Sequence, residues 1–154
     1  MHGWIEFALF LLVALPVTFF DIREYRIPDF LTFSGVAAFV VIKLLWKEQS
    51  VGTLALDLAV GFSVFWLIWW MSSGQMGLGD AKFSAFIAVA GGLTTWFGAL
   101  FVASTTGLLT AAVLKLLGTS DRPARIPFAP FLTLGAAVSL QFQGFHQLLP
   151  DFSW

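Results

Sequence analysis

Long apolar runs, separated by short polar or glycine-containing stretches, organise the chain from end to end. Six stand out: Trp4–Phe20, Asp29–Trp46, Thr53–Met71, Ala81–Leu93, Trp96–Leu116 and Pro127–Phe145. Most approach the roughly 17–21 residues that a helix needs to cross a bilayer core. The runs are continuous rather than alternating, which predicts helices and not the strands of a membrane barrel. The fourth run is the shortest, and Gly91-Gly92 separates it from the fifth. A single helix from Ala81 to Leu116 would be far too long for one span, so a hairpin turning at Gly91–Thr95 is predicted. The pattern reads as an all-α, polytopic membrane helix bundle of about six transmembrane helices, one domain over residues 1–154.

Composition strengthens this reading. The chain is 58% hydrophobic and only 11% charged, with a mean hydropathy of +0.88. A water-soluble domain of 154 residues could not cover so much apolar surface with so few charges. In lipid, helices satisfy their own backbone hydrogen bonds. No basic segment precedes the first run and no small-residue cleavage site closes it, so it reads as a retained helix rather than a signal peptide. The net charge of −1, without a basic tract, gives no indication of a nucleic-acid partner. The absence of cysteine excludes disulfides, thiol catalysis and Cys-based zinc sites. His2 and His146 have no partner at ligand spacing, so neither a metal nor another cofactor is expected.

The charges also predict an orientation. Arg23, Arg26, Lys82, Lys115, Arg122 and Arg125 fall on one side, Lys43 and Lys47 with Glu48 on the other. The positive-inside rule puts the first group in the cytoplasm and both termini outside. Trp4, Trp46, Trp69, Trp70 and Trp96 lie near predicted span ends, as in an aromatic belt.

Two segments on the predicted cytoplasmic side carry candidate chemistry. Asp21 begins Asp-Ile-Arg-Glu-Tyr-Arg-Ile-Pro-Asp after the first span, and Asp80 stands in Gly77-Leu78-Gly79-Asp80-Ala81-Lys82 at the start of the fourth. Acidic groups at a membrane boundary are costly to desolvate and tend to face a bundle interior or wet cavity. Two carboxyls brought together do not both ionise easily, so one can activate water while the other protonates a leaving group. Gly77 and Gly79 offer backbone angles closed to other residues and a close approach for a substrate strand. Equally, Asp80 could simply cap its helix, with the glycines turning the chain.

Three patches resemble one family. Gly77-x-Gly79-Asp80-x-Lys82-Phe83 is similar to the GxGD motif of the type IV prepilin peptidases. Asp21, followed by Ile27-Pro28 and Leu31-Thr32, resembles that family's first motif, an aspartate ahead of Ile-Pro-Asn and Leu-Thr. Ile126-Pro127-Phe128-Ala129-Pro130 resembles its Ile-Pro-Phe-Gly-Pro stretch before the last helix. The resemblance implies a membrane aspartyl endopeptidase that removes the leader of pilin-like precursors, each a short leader ahead of a hydrophobic helix. It implies a bacterial or archaeal cytoplasmic membrane, with the active site facing the cytoplasm and the lipid bilayer as surroundings. Asp21 and Asp80 carry over as catalytic aspartates. Gly77, Gly79, Lys82, Pro28 and Pro127 carry over as motif residues that position the site or substrate. Asp29 stands where the family usually has asparagine and Ala129 where it usually has glycine. Larger bifunctional members carry two Cys-x-x-Cys pairs, and this cysteine-free chain resembles the short, peptidase-only form.

The remaining polar residues have simpler readings. Asp29 is expected to cap the second helix, and Asp57 to cap or sit at the outer interface. Lys82 could hold Asp80, hold the substrate backbone or merely mark topology. Gly61, Gly98 and Gly107 suit close helix packing. From helix dipoles alone, Asp21 at a C-terminal end would be the protonated acid and Asp80 at an N-terminal end the ionised base. Alternative functions are a presenilin or signal-peptide-peptidase type of protease, which shares GxGD, and a proton-coupled carrier or pilus-assembly subunit. The first usually has a Tyr-Asp pair and more spans. A carrier favours acids at the bilayer midplane.

Overall fold

A computed structural model of the chain describes residues 3–46, 48–72, 77–117 and 127–148, the last six as backbone only. The described residues form five helices: α1 (Gly3–Glu24), α2 (Asp29–Leu45), α3 (Val51–Met71), α4 (Leu78–Leu116) and α5 (Ala129–Leu148). No strand occurs among the described residues. Three helices, α1, α3 and α4, are long and apolar enough to cross a membrane, and α5 contributes a shorter apolar segment. The molecule is a multi-pass membrane helix bundle.

The 39-residue α4 is two limbs rather than one rod. Gly92 interrupts it with φ 74° and ψ 171°, a conformation essentially restricted to glycine. Trp96 Nε1 then donates to Ser84 Oγ at 2.7 Å across 12 residues. Those residues would span about 18 Å along a straight helix, so the chain must fold back, as the Gly-Gly step predicts. Counting the limbs 78–91 and 93–116 separately recovers the six helical segments read from the sequence.

The first limb of α4 forms the axis of the bundle. An almost unbroken set, Asp80, Ala81 and Phe83 through Ala90, is buried. A helix apolar on all sides belongs in such a place. Its length, roughly 20 Å at 1.5 Å per residue, is short for a lipid-facing span and suits a helix sheathed by others. Phe86 stacks on Phe10 of α1 and meets Phe39 of α2 edge-on, each with ring centroids 5.6 Å apart. On α3, a methyl at Gly61 would meet Ala88 Cβ at 2.7 Å and Ala85 Cα at 3.0 Å. Glycine therefore permits the approach, and Ser84 Oγ donates to the buried Gly61 carbonyl at 2.7 Å. Gly98 likewise abuts Ser139, whereas Gly107 makes only ordinary contact.

Two sequence expectations change here. Trp96 is not part of an aromatic belt: it is 2% exposed and its indole N–H is satisfied inside the bundle. Trp4 and Trp70 remain exposed. Lys43 does fall at the end of the bundle away from Asp21, as the charge pattern expects. It is buried and lies 3.9 Å from both Glu6 and Glu48, with Asp57 close enough to feel its charge. Asp57 is itself buried within α3, whose N-cap is Ser50, the acceptor of the Thr53 N–H at 3.1 Å. Asp57 is thus neither cap nor interfacial residue. Lys47, Asp121, Arg122, Arg125, Ile126, His2 and His146 lie outside the described residues or side chains.

Candidate active site

The end of the bundle opposite Lys43 gathers the motif residues. Asp21 is in the last turn of α1, and Asp80 in the first turn of α4. Both side chains are buried, 7% and 9% exposed. They are near enough for the charge of Asp21 to act on Asp80. Each is brought there by a helix whose apolar body runs into the core, so the carboxyls sit where the bundle meets its polar end.

The third patch supplies a partner for Asp21. The Ala129 N–H, the first of α5, donates to Asp21 Oδ2 at 3.0 Å. First-turn amides have no acceptor within their own helix. Here the nearby Phe131 and Leu132 N–H groups turn back to the Phe128 carbonyl, and proline at position 130 has no N–H. Ala129 is left with a donor, and Asp21 accepts it across 108 residues of sequence. One turn deeper, the Thr18 and Thr133 hydroxyls bond at 2.7 Å, fixing the same register between α1 and α5. Phe65 of α3 packs on Phe128 from the other side, ring centroids 6.0 Å apart. Pro127 leads into this turn and fixes its entry angle. The sequence reading missed this role; the signal was an uncapped helix start with a proline at its second position.

The dipole argument for dividing acid and base roles loses its force with this contact. Asp21 does stand at the C-terminal end of α1, but the N-terminal end of α5 is on the same carboxyl with the opposite field.

The first and second patches interlock. A methyl on Gly79 would lie 2.9 Å from Ile27 Cβ and 3.3 Å from its Cγ1, so glycine lets the Ile-Pro segment sit directly against the start of α4. The expectation that Gly77 and Gly79 supply unusual backbone angles is corrected: Gly77 is the N-cap with φ −72° and ψ 136°, and among the described glycines only Gly92 has positive φ. Gly79's close approach serves Ile27 rather than a substrate strand. At Gly77, in contrast, a methyl would make only ordinary contacts among the described residues, 3.8 Å from Asp80 Oδ2 and 3.9 Å from the Gly79 nitrogen. Pro28 is the N-cap of α2, its carbonyl accepting from Leu31 and Thr32.

Asp29 and Lys82 also depart from expectation. Asp29 is the first residue of α2 and caps nothing with its side chain; its carboxylate takes Lys82 Nζ at 2.6 Å. Lys82 holds neither Asp80 nor open space, because residues two apart on a helix point to opposite sides. No group of three or more metal-ligating side chains occurs among the described residues.

Comparison with known proteins agrees with these motifs. The model of the type IV leader peptidase family matches residues 7–112. The chain is 28% identical to the prepilin leader peptidase/N-methyltransferase of Aeromonas hydrophila over 149 residues, covering 90% of this chain and 50% of that protein. Proteins of the same name from Pectobacterium carotovorum subsp. carotovorum and Xanthomonas campestris pv. campestris are 27% and 26% identical, over 86% and 88% of this chain and 49% and 50% of theirs. The chain thus spans about half the length of these relatives. No solved structure matches it. With the family match running from α1 through most of α4, and the motif residues assembled at one end of the bundle, the chain belongs to the type IV leader peptidase family.

Proposed function

We propose that this chain is an aspartic endopeptidase that cleaves the leader from type IV pilin-like precursors, with Asp21 and Asp80 as the catalytic pair. The observation that carries the reading is that two buried carboxyls, one from each motif-bearing helix, lie at one end of a membrane bundle, near enough for the charge of one to act on the other. In this mechanism the pair holds one proton. The ionised carboxyl removes a proton from a water, whose oxygen attacks the scissile carbonyl carbon. The protonated carboxyl then gives its proton to the departing amine as the C–N bond breaks. Peptide hydrolysis of this kind uses both carboxyls and draws on no further group.

Gly77, without a side chain next to Asp80, suits an extended peptide approaching the pair. The substrate's hydrophobic helix stays in lipid and reaches the site from the side. The site faces the cytoplasm, in a bacterial or archaeal cytoplasmic membrane, as the arginines and lysines at this end favour. A carrier reading has less support, because both acids lie at one end of the bundle rather than at its middle.

The test is cleavage of a tagged pilin-like precursor in membranes containing wild type, Asp21→Ala or Asp80→Ala. Leader removal by wild type and by neither variant, with all three inserted equally, supports the pair. Cleavage by both variants would reduce the carboxyls to helix caps.

A further inference from the structure

The starts of α2 and α4 are joined by two contacts of different kinds. One is Ile27 against Gly79, and the other is the ion pair of Asp29 with Lys82. We infer that Asp29 is a positioning residue for peptide hydrolysis: through Lys82 it fixes the rotation of the first turn of α4, and thereby the direction in which Asp80 faces Asp21. This rests on the protease reading above.

The geometry follows from the helix repeat. Lys82 is two residues after Asp80, so their side chains leave α4 about 200° apart around its axis. One points to α2 and the other to α1. Holding Lys82 therefore holds Asp80 without touching it. The Gly79 contact cannot do the same. Glycine has no side chain to engage, so that contact sets how near the two segments lie rather than how they are turned. The N-cap Gly77 makes no side-chain capping bond, so it does not fix the turn either. Lys82 is secured on a second side, with Nζ 5.7 Å above the Phe33 ring. Asp29 is steadied by its own turn, where Thr32 Oγ1 donates to the Asp29 carbonyl at 3.0 Å.

Exposure decides where the effect is read. The Asp29 side chain is 60% exposed and that of Lys82 26%, and pairs this wet contribute little to folding. Catalysis is far more sensitive, since small displacements of a reacting group cost large factors in rate. Asp29 variants should therefore fold and bind substrate while turning over slowly.

The experiment measures kcat and KM for cleavage of a tagged pilin-like precursor by purified enzyme. The variants are Asp29→Ala, Lys82→Met, the two combined, and the exchanged pair Asp29→Lys with Lys82→Asp; Asp80→Ala is the blank. Each single variant is expected to lose about tenfold or more in kcat with KM nearly unchanged. The combined variant should be no worse than either single one, and the exchanged pair should recover most of the loss. Multiplying losses in the combined variant, or single variants that keep wild-type kcat, would overturn the positioning role alone. Wild type no better than the blank would overturn the protease reading and this inference with it. An unchanged thermal midpoint in the slow variants separates lost positioning from lost folding.

Discussion

Asp21 Oδ2 and the Ala129 N–H, 108 residues apart, meet at 3.0 Å. The contact makes Asp21 the acceptor that the first turn of α5 lacks, and it joins the third sequence patch to the first. A carboxyl in this position is oriented by backbone rather than by a side chain, so ordinary substitutions at residue 129 cannot remove its partner. Only proline can.

Ala129→Pro is accordingly the informative variant. Proline is at home in the first position of a helix, and the change deletes the Ala129 donor, leaving Asp21 only the backbone of Phe128 beside it. A hydrogen bond to a charged group contributes about 1.5–3 kcal/mol, so cleavage should fall roughly ten- to a hundredfold while Ala129→Gly, which keeps the N–H, stays active. Precursor cleavage by the two variants side by side checks this; equal activity would mean that the contact does not serve Asp21.

The two motif glycines should behave differently. Gly79→Ala drives a methyl into Ile27 and should separate the starts of α2 and α4, lowering both the thermal midpoint and turnover. Gly77→Ala has room and an ordinary backbone conformation, so its midpoint should hold and its effect appear in KM, from a methyl placed where the substrate passes. Thermal unfolding combined with steady-state kinetics distinguishes them.

At the other end of the bundle, Lys43 is the cation facing Glu6, Glu48 and Asp57. Removing one partner from a buried charge set typically costs about 3–5 kcal/mol, so Lys43→Met should be the most destabilising change at this end. Asp57 Oδ2 is buried without a hydrogen-bond partner, and Asp57→Asn should therefore be neutral or stabilising. Denaturation in detergent would read both, and a large loss in Asp57→Asn would contradict this account.

Gly92→Ala should lower stability by about 1–3 kcal/mol, the usual cost of a side chain in a sparsely allowed conformation. The turn is at the far end from Asp21 and Asp80, so the folded fraction should keep its turnover. A thermal midpoint unchanged from wild type would mean that the hairpin does not need that backbone angle.

Much of this was legible in the sequence because lipid imposes strong local rules. Apolar runs must be helices, so the six segments and the break at Gly91-Gly92 follow from pattern alone. The two aspartates stood out because carboxyls at the edges of apolar runs are costly, and the family motifs named the same residues. Local reasoning failed where the deciding partner lay far along the chain. Asp57 read as a cap or interfacial residue, Trp96 as a belt residue and Asp29 as a cap, each judged by its neighbours in sequence. The groups they face are Lys43, Ser84 and Lys82.

By itself, then, the sequence determined the solvent, the helices, the hairpin and the identity of the candidate carboxyls, because hydrophobicity and backbone conformation act over a few residues. Only the tertiary structure decided which face of α4 meets α1 and which meets α2, that the start of α5 would hold Asp21, and that Lys43 would be buried. Those outcomes depend on how helices rotate and pack against one another. A hydrogen bond or ion pair between residues 53 or 108 positions apart exists only once that packing has been chosen.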